Sequence, residues 1–351
     1  MAPTRARIAV FPLTLLLAFA LGAAPAAAGS ALATSRPTHS HGRAASGWLA
    51  RQMTGGSHLV YTYDGVTYPN QGGTIDAILA FAATGTAGSH GARAVAWLAR
   101  PHVLSNYIGN GTTESYAGAT AKVMLAAEVR GINPAKFGGV NLPARLARLL
   151  TRSGRYSDHS TYGDYSNAFS QSLAILALSR RGGAPAAAVK FLASSECRNG
   201  GFPLDFAQKT CVSYPDATAM DVQALLAAGW AGRAQRGLRW LARVQRNDGG
   251  FIASPGAAPN ANSTGLAGEA FAAGGWFRRA ASARAFLIGL QVGCSGKAAD
   301  RGAIAYDAAG FSLSTAVSAT AQGILGLADV GLARLSARGS SSGAPHLACA
   351  S

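Results

Sequence analysis

The chain has 351 residues and a formal net charge of +16, with 49% apolar and only 13% charged residues. That composition excludes intrinsic disorder, which needs low hydrophobicity and high charge, and the lack of a Gly-X-Y period excludes a collagen-like chain. The arginines are spread along the chain and form no single block, so a nucleic-acid-binding stripe, which needs basic residues on one face, is not expected.

At the N-terminus, Arg5 and Arg7 precede an apolar run from Ile8 to Leu21, and the small residues Ala26, Ala27 and Ala28 follow. This layout predicts a secretory signal peptide over 1–28, because the run is short for a membrane span; an uncleaved anchor is the alternative. Residues 29–43 read as a linker. No later stretch is long and apolar enough to span a bilayer, so the mature chain is expected to be secreted. The four cysteines agree: an even count in an exported chain predicts disulfides, Cys197–Cys211 around one loop and Cys294–Cys349 as the second pair. A zinc site is the alternative, but there is no CxxC and histidine is scarce, so no metal and no cofactor are expected.

From residue 44 to 336 the chain repeats. An aromatic-Leu or Leu-Leu pair recurs at Trp48-Leu49, Trp97-Leu98, Leu149-Leu150, Phe191-Leu192, Trp240-Leu241 and Phe286-Leu287, at intervals of about 42 to 52 residues. Each pair ends an arginine-bearing helix. A Gly-rich polar loop follows, then a small-residue helix with almost no charge: 74–85, 117–131, 166–179, 218–229, 264–275 and 314–328. The first helix of each pair reads as outer and half-solvated, the second as inner and buried all round. Six such hairpins predict an all-α fold, a closed α/α toroid (an α6/α6 barrel), with an open superhelix as the competing architecture and no strand-period segment to break the pattern. Residues 337–351 read as a C-terminal tail.

The fifth repeat carries a resemblance. Arg236, Gly237, Trp240, Leu241, Gln245, Gly249 and Phe251 resemble the QW-type repeat of terpene cyclases, with Phe in place of the final Trp, and Phe191-Leu192 with Asn199-Gly200-Gly201-Phe202 repeats part of it. The resemblance implies the toroid superfamily of terpene cyclases, protein prenyltransferase β-subunits, secreted cobalamin carriers and complement thioester domains. Fold alone does not fix function. The DxDD acid motif is reduced here to Asp216, flanked by Tyr214 and Ala217; the prenyltransferase zinc set is missing; and Gly293-Cys294 continues as Ser295-Gly296, without the thioester sequence. The cobalamin carriers, exported and disulfide-bonded, fit the compartment.

Two residue sets are candidates for binding. The ten tyrosines all fall between an outer helix and its inner helix, so a toroid gathers them at one end with acids such as Asp158 and Asp164. Tyr61, Tyr63, Tyr116, Tyr162, Tyr165 and Tyr214, with Asp164, are the candidate mouth residues; a Tyr ring has an apolar face and a polar tip, which suits amphipathic ligands and sugars. The second set comes from aligning the inner helices on their Gly ends: Leu79, Lys122, Gln171, Gln223, Glu269 and Gln322 fall at equivalent places and predict a polar ring around the cavity. For catalysis the candidates are Asp216, Asp164, Asp158 and His159, although Asp216 also reads as the N-cap of a helix starting near Thr218. The expectation is a secreted protein that binds a small amphipathic or polycyclic ligand, isoprenoid- or corrinoid-like by resemblance. The alternatives are an exported enzyme of terpene-cyclase-like or polysaccharide-active type, and a protein-binding scaffold. The expected partner is a small molecule, not nucleic acid, and a protein partner stays open.

Overall fold

The computed structural model describes residues 37–349; the expected signal peptide lies outside them. Six inner helices form a closed ring in chain order: α2 (Gln71–Thr84), α5 (Ala117–Val129), α7 (Ala168–Ser179), α9 (Pro215–Ala227), α11 (Ala261–Ala273) and α13 (Leu313–Ala328), with α13 packed back on α2. Around them stand α1 (Pro37–Arg51), α3 (Gly88–Leu98), α6 (Leu142–Arg148), α8 (Ala186–Ser194), α10 (Ala231–Val244) and α12 (Phe277–Gly289), with a short extra helix α4 (Pro101–Ile108) after α3. The molecule is thus the expected α/α toroid, and helix α1 takes in the last residues of the segment that reads as a linker. Among the described residues no helix is long and apolar enough to cross a membrane.

The inner helices are buried on nearly every face because Ala, Leu and Ile fill them, and alanine permits close packing while favouring helix. Asn70, Asn167 and Asn260 accept backbone N–H bonds at the starts of α2, α7 and α11, and α10 carries its arginines on the solvent side over buried Leu238 and Leu241. Two local features depart from an all-helical reading, a short pairing of Phe251–Ile252 with Pro259–Asn260 in the fifth mouth loop and a longer hairpin in the first. The first mouth loop is a β-hairpin, β1 (Leu59–Tyr63) paired with β2 (Val66–Asn70), turned by Asp64 and Gly65 at φ 48 and 74. Asp-Gly is the residue pair such a two-residue turn demands.

Each outer-to-inner loop is tied to the next outer helix. Gln245 donates to Gly249 O and to Arg279 O of α12, both at 3.1 Å. Gln171 does the same for Gly154 O (2.9 Å) and Ala188 O of α8 (3.0 Å), and Gln291 for Gly302 O and His41 O of α1 (both 3.0 Å). Where no glutamine serves, an arginine of the next outer helix donates to the loop: Arg93 to Gly56 O, Arg145 to Gly109 O and Arg243 to Asn199 O. The sixth tie, onto α1, closes the ring. The glycines are required: Gly249 has φ +89, and a Cβ there would stand 2.2 Å from Ser282 O of α12.

The opposite end is floored by the chain that follows α13. Leu332 and Leu335 are buried there; Leu332 N donates to Gln223 Oε1 (2.9 Å), and Arg180 donates to Ala333 O and Leu335 O. The tail then bonds to Val129 O and Gly85 O, passes Gly47 and Arg51 on α1, and ends in the Cys294–Cys349 disulfide on the sixth mouth loop. The residues expected to be a tail are therefore a strap from the floor up the outer wall. The Cys197–Cys211 disulfide closes the fourth mouth loop, and no described cysteine is free.

Two predictions follow from these contacts. Gly256 also has a positive φ, +82, but nothing lies near a Cβ there. Chemical denaturation should show Gly256→Ala costing about 1 kcal/mol and Gly249→Ala at least about 3 kcal/mol; equal costs would remove the tie between loop and α12. At the floor, Gln223 Nε2 donates to Glu269 Oε2 (3.1 Å), and burial raises the Glu269 carboxyl from 4.5 to about 8. Between those values only the unfolded chain gives up the proton, so the wild type loses stability as pH rises, and the loss is complete above the folded value. Glu269→Gln should match the wild type near pH 5 and exceed it by on the order of 1–3 kcal/mol above pH 8. A variant no more stable than wild type at the higher pH contradicts the buried neutral acid.

Candidate functional site

One bond repeated around the ring sets the register of the inner helices. A side chain near the start of five of the six helices accepts the N–H of a residue in its own mouth loop: Thr74 from Leu59 (2.9 Å), Gln171 from Tyr156 (2.8 Å), Thr218 from Phe202 (2.8 Å), Thr264 from Phe251 (2.9 Å) and Thr320 from Ile304 (2.8 Å). Thr120 holds the same place and donates to Tyr116 O, as Thr74 does to Asn70 O. These anchors face outward. At about 100° per residue, the positions two before and two after each anchor face the opposite way, into the lumen.

The upper lumen row is therefore Gly72, Gly118, Phe169, Asp216, Asn262 and Ser318. The lower row is Asp76, Lys122, Leu173, Met220, Leu266 and Gln322. Contacts between neighbouring helices support the assignment: Asn262 Nδ2 donates to Ser318 Oγ (3.1 Å), and Lys122 Nζ pairs with Asp76 (2.7 Å) and donates to Gly72 O (3.2 Å). The upper row and the polar members of the lower row are partly exposed on otherwise buried helices, while Leu173, Met220 and Leu266 are buried. The lower row divides in two. On α13, α2 and α5 it is polar, with Gln322, Asp76 and Lys122; on α7, α9 and α11 it is apolar, with Leu173, Met220 and Leu266.

This register corrects the expected polar ring. Gln171 is an outward anchor equivalent to Thr218, and both ends of its amide are used on the third loop and α8. Gln223 and Glu269 lie three residues below the lower row, on the floor. Lys122 and Gln322 share the lower row, whereas Leu79 belongs at floor level with Gln223. The recurring threonines would have fixed this from sequence; the Ala-Leu cores and glycine ends do not.

Asp216 is not an N-cap. Helix α9 starts at Pro215 with Tyr214 in the cap position and no side-chain cap bond, which leaves Asp216 in the first turn. It stands in the upper row between Phe169 and Asn262. Burial raises its carboxyl above the ordinary range, opposed by the neighbouring Ser263 hydroxyl, and Oδ1 has no hydrogen-bond partner among the described residues. Across the ring, burial works against the Lys122 ammonium, but Asp76 and Tyr107 outweigh it and hold Lys122 above its usual value. The Tyr107 hydroxyl, 3.4 Å from where a Gly72 Cβ would lie, joins this cluster from α4.

The mouth acids are engaged in shaping their loop. Asp158 accepts Ala117 N at the start of α5 (2.7 Å), and burial raises its carboxyl. Asp164 accepts from Asp158 N (2.9 Å) and Ser166 N (3.0 Å) and pairs with Arg155 (3.0 Å); these bonds outweigh burial and hold it low. Glu114, another acid of the mouth loops, takes bonds from the Ser160 and Thr161 hydroxyls, Thr161 N and the Tyr116 hydroxyl, and is held at about 2. His159 is exposed, joined to Ser115 through its backbone. Among the candidate tyrosines, Tyr61, Tyr63, Tyr162 and Tyr165 are exposed on the rim, with Tyr61 stacked on Tyr68 (centroids 5.5 Å apart), and Tyr116 and Tyr214 are half-buried at the starts of α5 and α9. Tyr156 is a core residue.

No protein-family model and no curated protein matches the chain. Solved structures do. A protein from Actinoplanes is 18% identical with a TM-score of 0.59, over 83% of this chain and 99% of that one. A type II terpene cyclase from Scytonema, solved with geranylgeranyl dihydroxybenzoate, is 13% identical with a TM-score of 0.61, over 83% and 97%. An unsaturated glucuronyl hydrolase specific for heparin is 10% identical with a TM-score of 0.58, over 83% and 96%. What the chain shares with these proteins is the α/α-toroid fold.

Proposed function

We propose that this is an exported carrier that takes one small amphipathic molecule into the lumen through the tyrosine-lined mouth. The division of the lower row carries this reading. An apolar body would lie on Leu173, Met220 and Leu266 below Phe169, and a polar end would meet Gln322, Asp76 and Lys122 on the facing wall. Apolar sites with a few placed polar groups are the usual form of small-molecule pockets. The floor closed by Leu332 and Leu335 leaves the mouth as the entrance. The ligand of the Scytonema cyclase, a prenyl chain on a dihydroxybenzoate head, has the same two-part character. The signal-like N-terminus and the two disulfides support export.

Asp216 favours a second reading, an enzyme in which it protonates an apolar substrate. A half-buried carboxyl with a raised pKa and an unpartnered oxygen is suited to give up a proton into a lumen. The flanking acids of the cyclase motif are replaced by Tyr214 and Ala217, so the carrier is preferred.

Native mass spectrometry of the chain purified from its own host tests the carrier. A copurifying small molecule is expected, and Leu266→Trp, which fills the lower row, should lose it while remaining folded. Retention by the folded variant, or no bound mass in the wild type, contradicts the carrier. Turnover of a polyprenyl panel that disappears in a folded Asp216→Asn variant would establish the enzyme. Failure of both would leave the exposed rim as a protein-binding surface.

A further inference from the structure

The arginines, dispersed in sequence, come together on the solvent face of α10. Arg236 and Arg243 lie seven residues and about 10 Å apart along the helix, with Arg239 between them on the exposed side, and Arg246 follows just past the helix end at Gln245. All four are exposed, and Arg198 joins them from the fourth mouth loop. Between that loop and the helix is a cavity of about 320 Å³ lined by Arg198, Asn199, Gly200, Arg236, Arg239 and Arg243.

Glu196 takes up the charge at one end of this face. Glu196 is buried and engaged by Arg233 (2.8 Å) and Arg236 (2.6 Å), and Arg243 is fixed on Asn199 O (2.6 Å). Those bonds hold the wall in place. The guanidinium groups of Arg198, Arg239 and Arg246 make no hydrogen bond or ion pair among the described residues, so their forks stay free for a ligand. A planar fork suits sulfate, phosphate and carboxylate groups, which it can grip through two bonds at once.

We propose that this face binds an acidic polysaccharide: one charged sugar seats in the Arg198–Arg239 cavity, and the chain runs along α10 toward Arg246. The shape of the face selects this occupant. The cations form a narrow file in which Arg236 and Arg243 are spaced close to the advance of two linked pyranose rings, with Arg198 and Arg239 beside them and Arg246 beyond the helix end. Single-stranded nucleic acid requires exposed rings for base stacking, and Trp240 in the middle of the face is buried. A lipid surface requires several apolar side chains to insert beside the cations; on α10 itself the one large apolar side chain exposed among the described residues is Val244, 37% exposed, with Phe277 at the start of α12. The site is separate from the lumen and does not depend on what the lumen takes.

The test measures binding of the oxidised chain at low salt to dextran sulfate, uncharged dextran, duplex DNA and phosphatidylglycerol vesicles. Dextran sulfate should bind, more weakly as salt rises, and uncharged dextran should not. The triple variant Arg198→Ser, Arg239→Ser, Arg246→Ser should lose at least about tenfold in affinity through its lost ionic contacts. A control with the same charge loss elsewhere, Arg43→Ser, Arg148→Ser, Arg338→Ser, should lose less than about threefold, because distant exposed charges are screened. Thermal melts confirm that both variants fold. Equal losses in the two variants, no binding by wild type, or tighter binding of DNA or vesicles than of dextran sulfate would overturn the assignment.

Discussion

The architecture depends on one contact made six times: a mouth-loop carbonyl, usually beside a glycine that no other residue could replace, held by a side chain to the next outer helix. Hairpins of two helices cannot bury their inner faces alone. They become stable only when each is fixed to its neighbour at a constant angle, and Gln245, Gln171 and Gln291 fix it by bonding a loop and a helix with one amide. Because the last tie returns to His41 and Ala44 on α1, the array closes rather than continuing as a superhelix. The Cys294–Cys349 disulfide then fixes the strap to the sixth loop, so floor, outer wall and mouth are one covalent circuit.

Closure makes the inner surface a site. Helices of alanine and leucine would give a dry, featureless core, yet charged and polar groups interrupt them at selected depths. At mid-depth Lys122 and Asp76 satisfy each other, which makes a half-buried pair tolerable. In the wall between α7 and α9 the Ser172 hydroxyl bonds Asp221, whose burial pushes its carboxyl well above the ordinary range. On the floor Glu269 stays neutral beside Gln223. Asp216, Asp221 and Glu269 each keep one oxygen without a hydrogen-bond partner among the described residues, but Asp221 and Glu269 are fully buried whereas Asp216 is partly exposed in the upper lumen row. Its free oxygen is therefore one that a ligand in the lumen could reach and satisfy.

Much of the fold was legible because its signals are local and repeated. The Trp240-Leu241 pair with Gln245, Gly249 and Phe251 states the hairpin, the loop and its tie in one short run, and the cysteine pairing followed from count and context. The inner-helix register was not legible from Ala-Leu cores, since a slide of a few residues along such a helix leaves its composition almost unchanged. That is why Gln171 and Glu269 were placed on one ring. Asp216 reads equally well as a cap until the first turn is located at Pro215. The Asp64-Gly65 turn lies between Leu59–Tyr63 and Val66–Asn70, whose β-prone residues form runs too short to stand out in a chain that repeats as helical hairpins. The arginine face and the strap depend on which surfaces come together, which only the three-dimensional structure shows.

The central claim is that the lumen, floored at one end and half apolar, holds an amphipathic molecule. A crystal structure of the chain soaked with farnesol tests it most directly. The account predicts density for the chain of the alcohol along Phe169, Leu173, Met220 and Leu266, with its hydroxyl toward Lys122 and Asp76. Density confined to the outer helices, or an empty lumen filled by ordered water along that apolar wall, would contradict it.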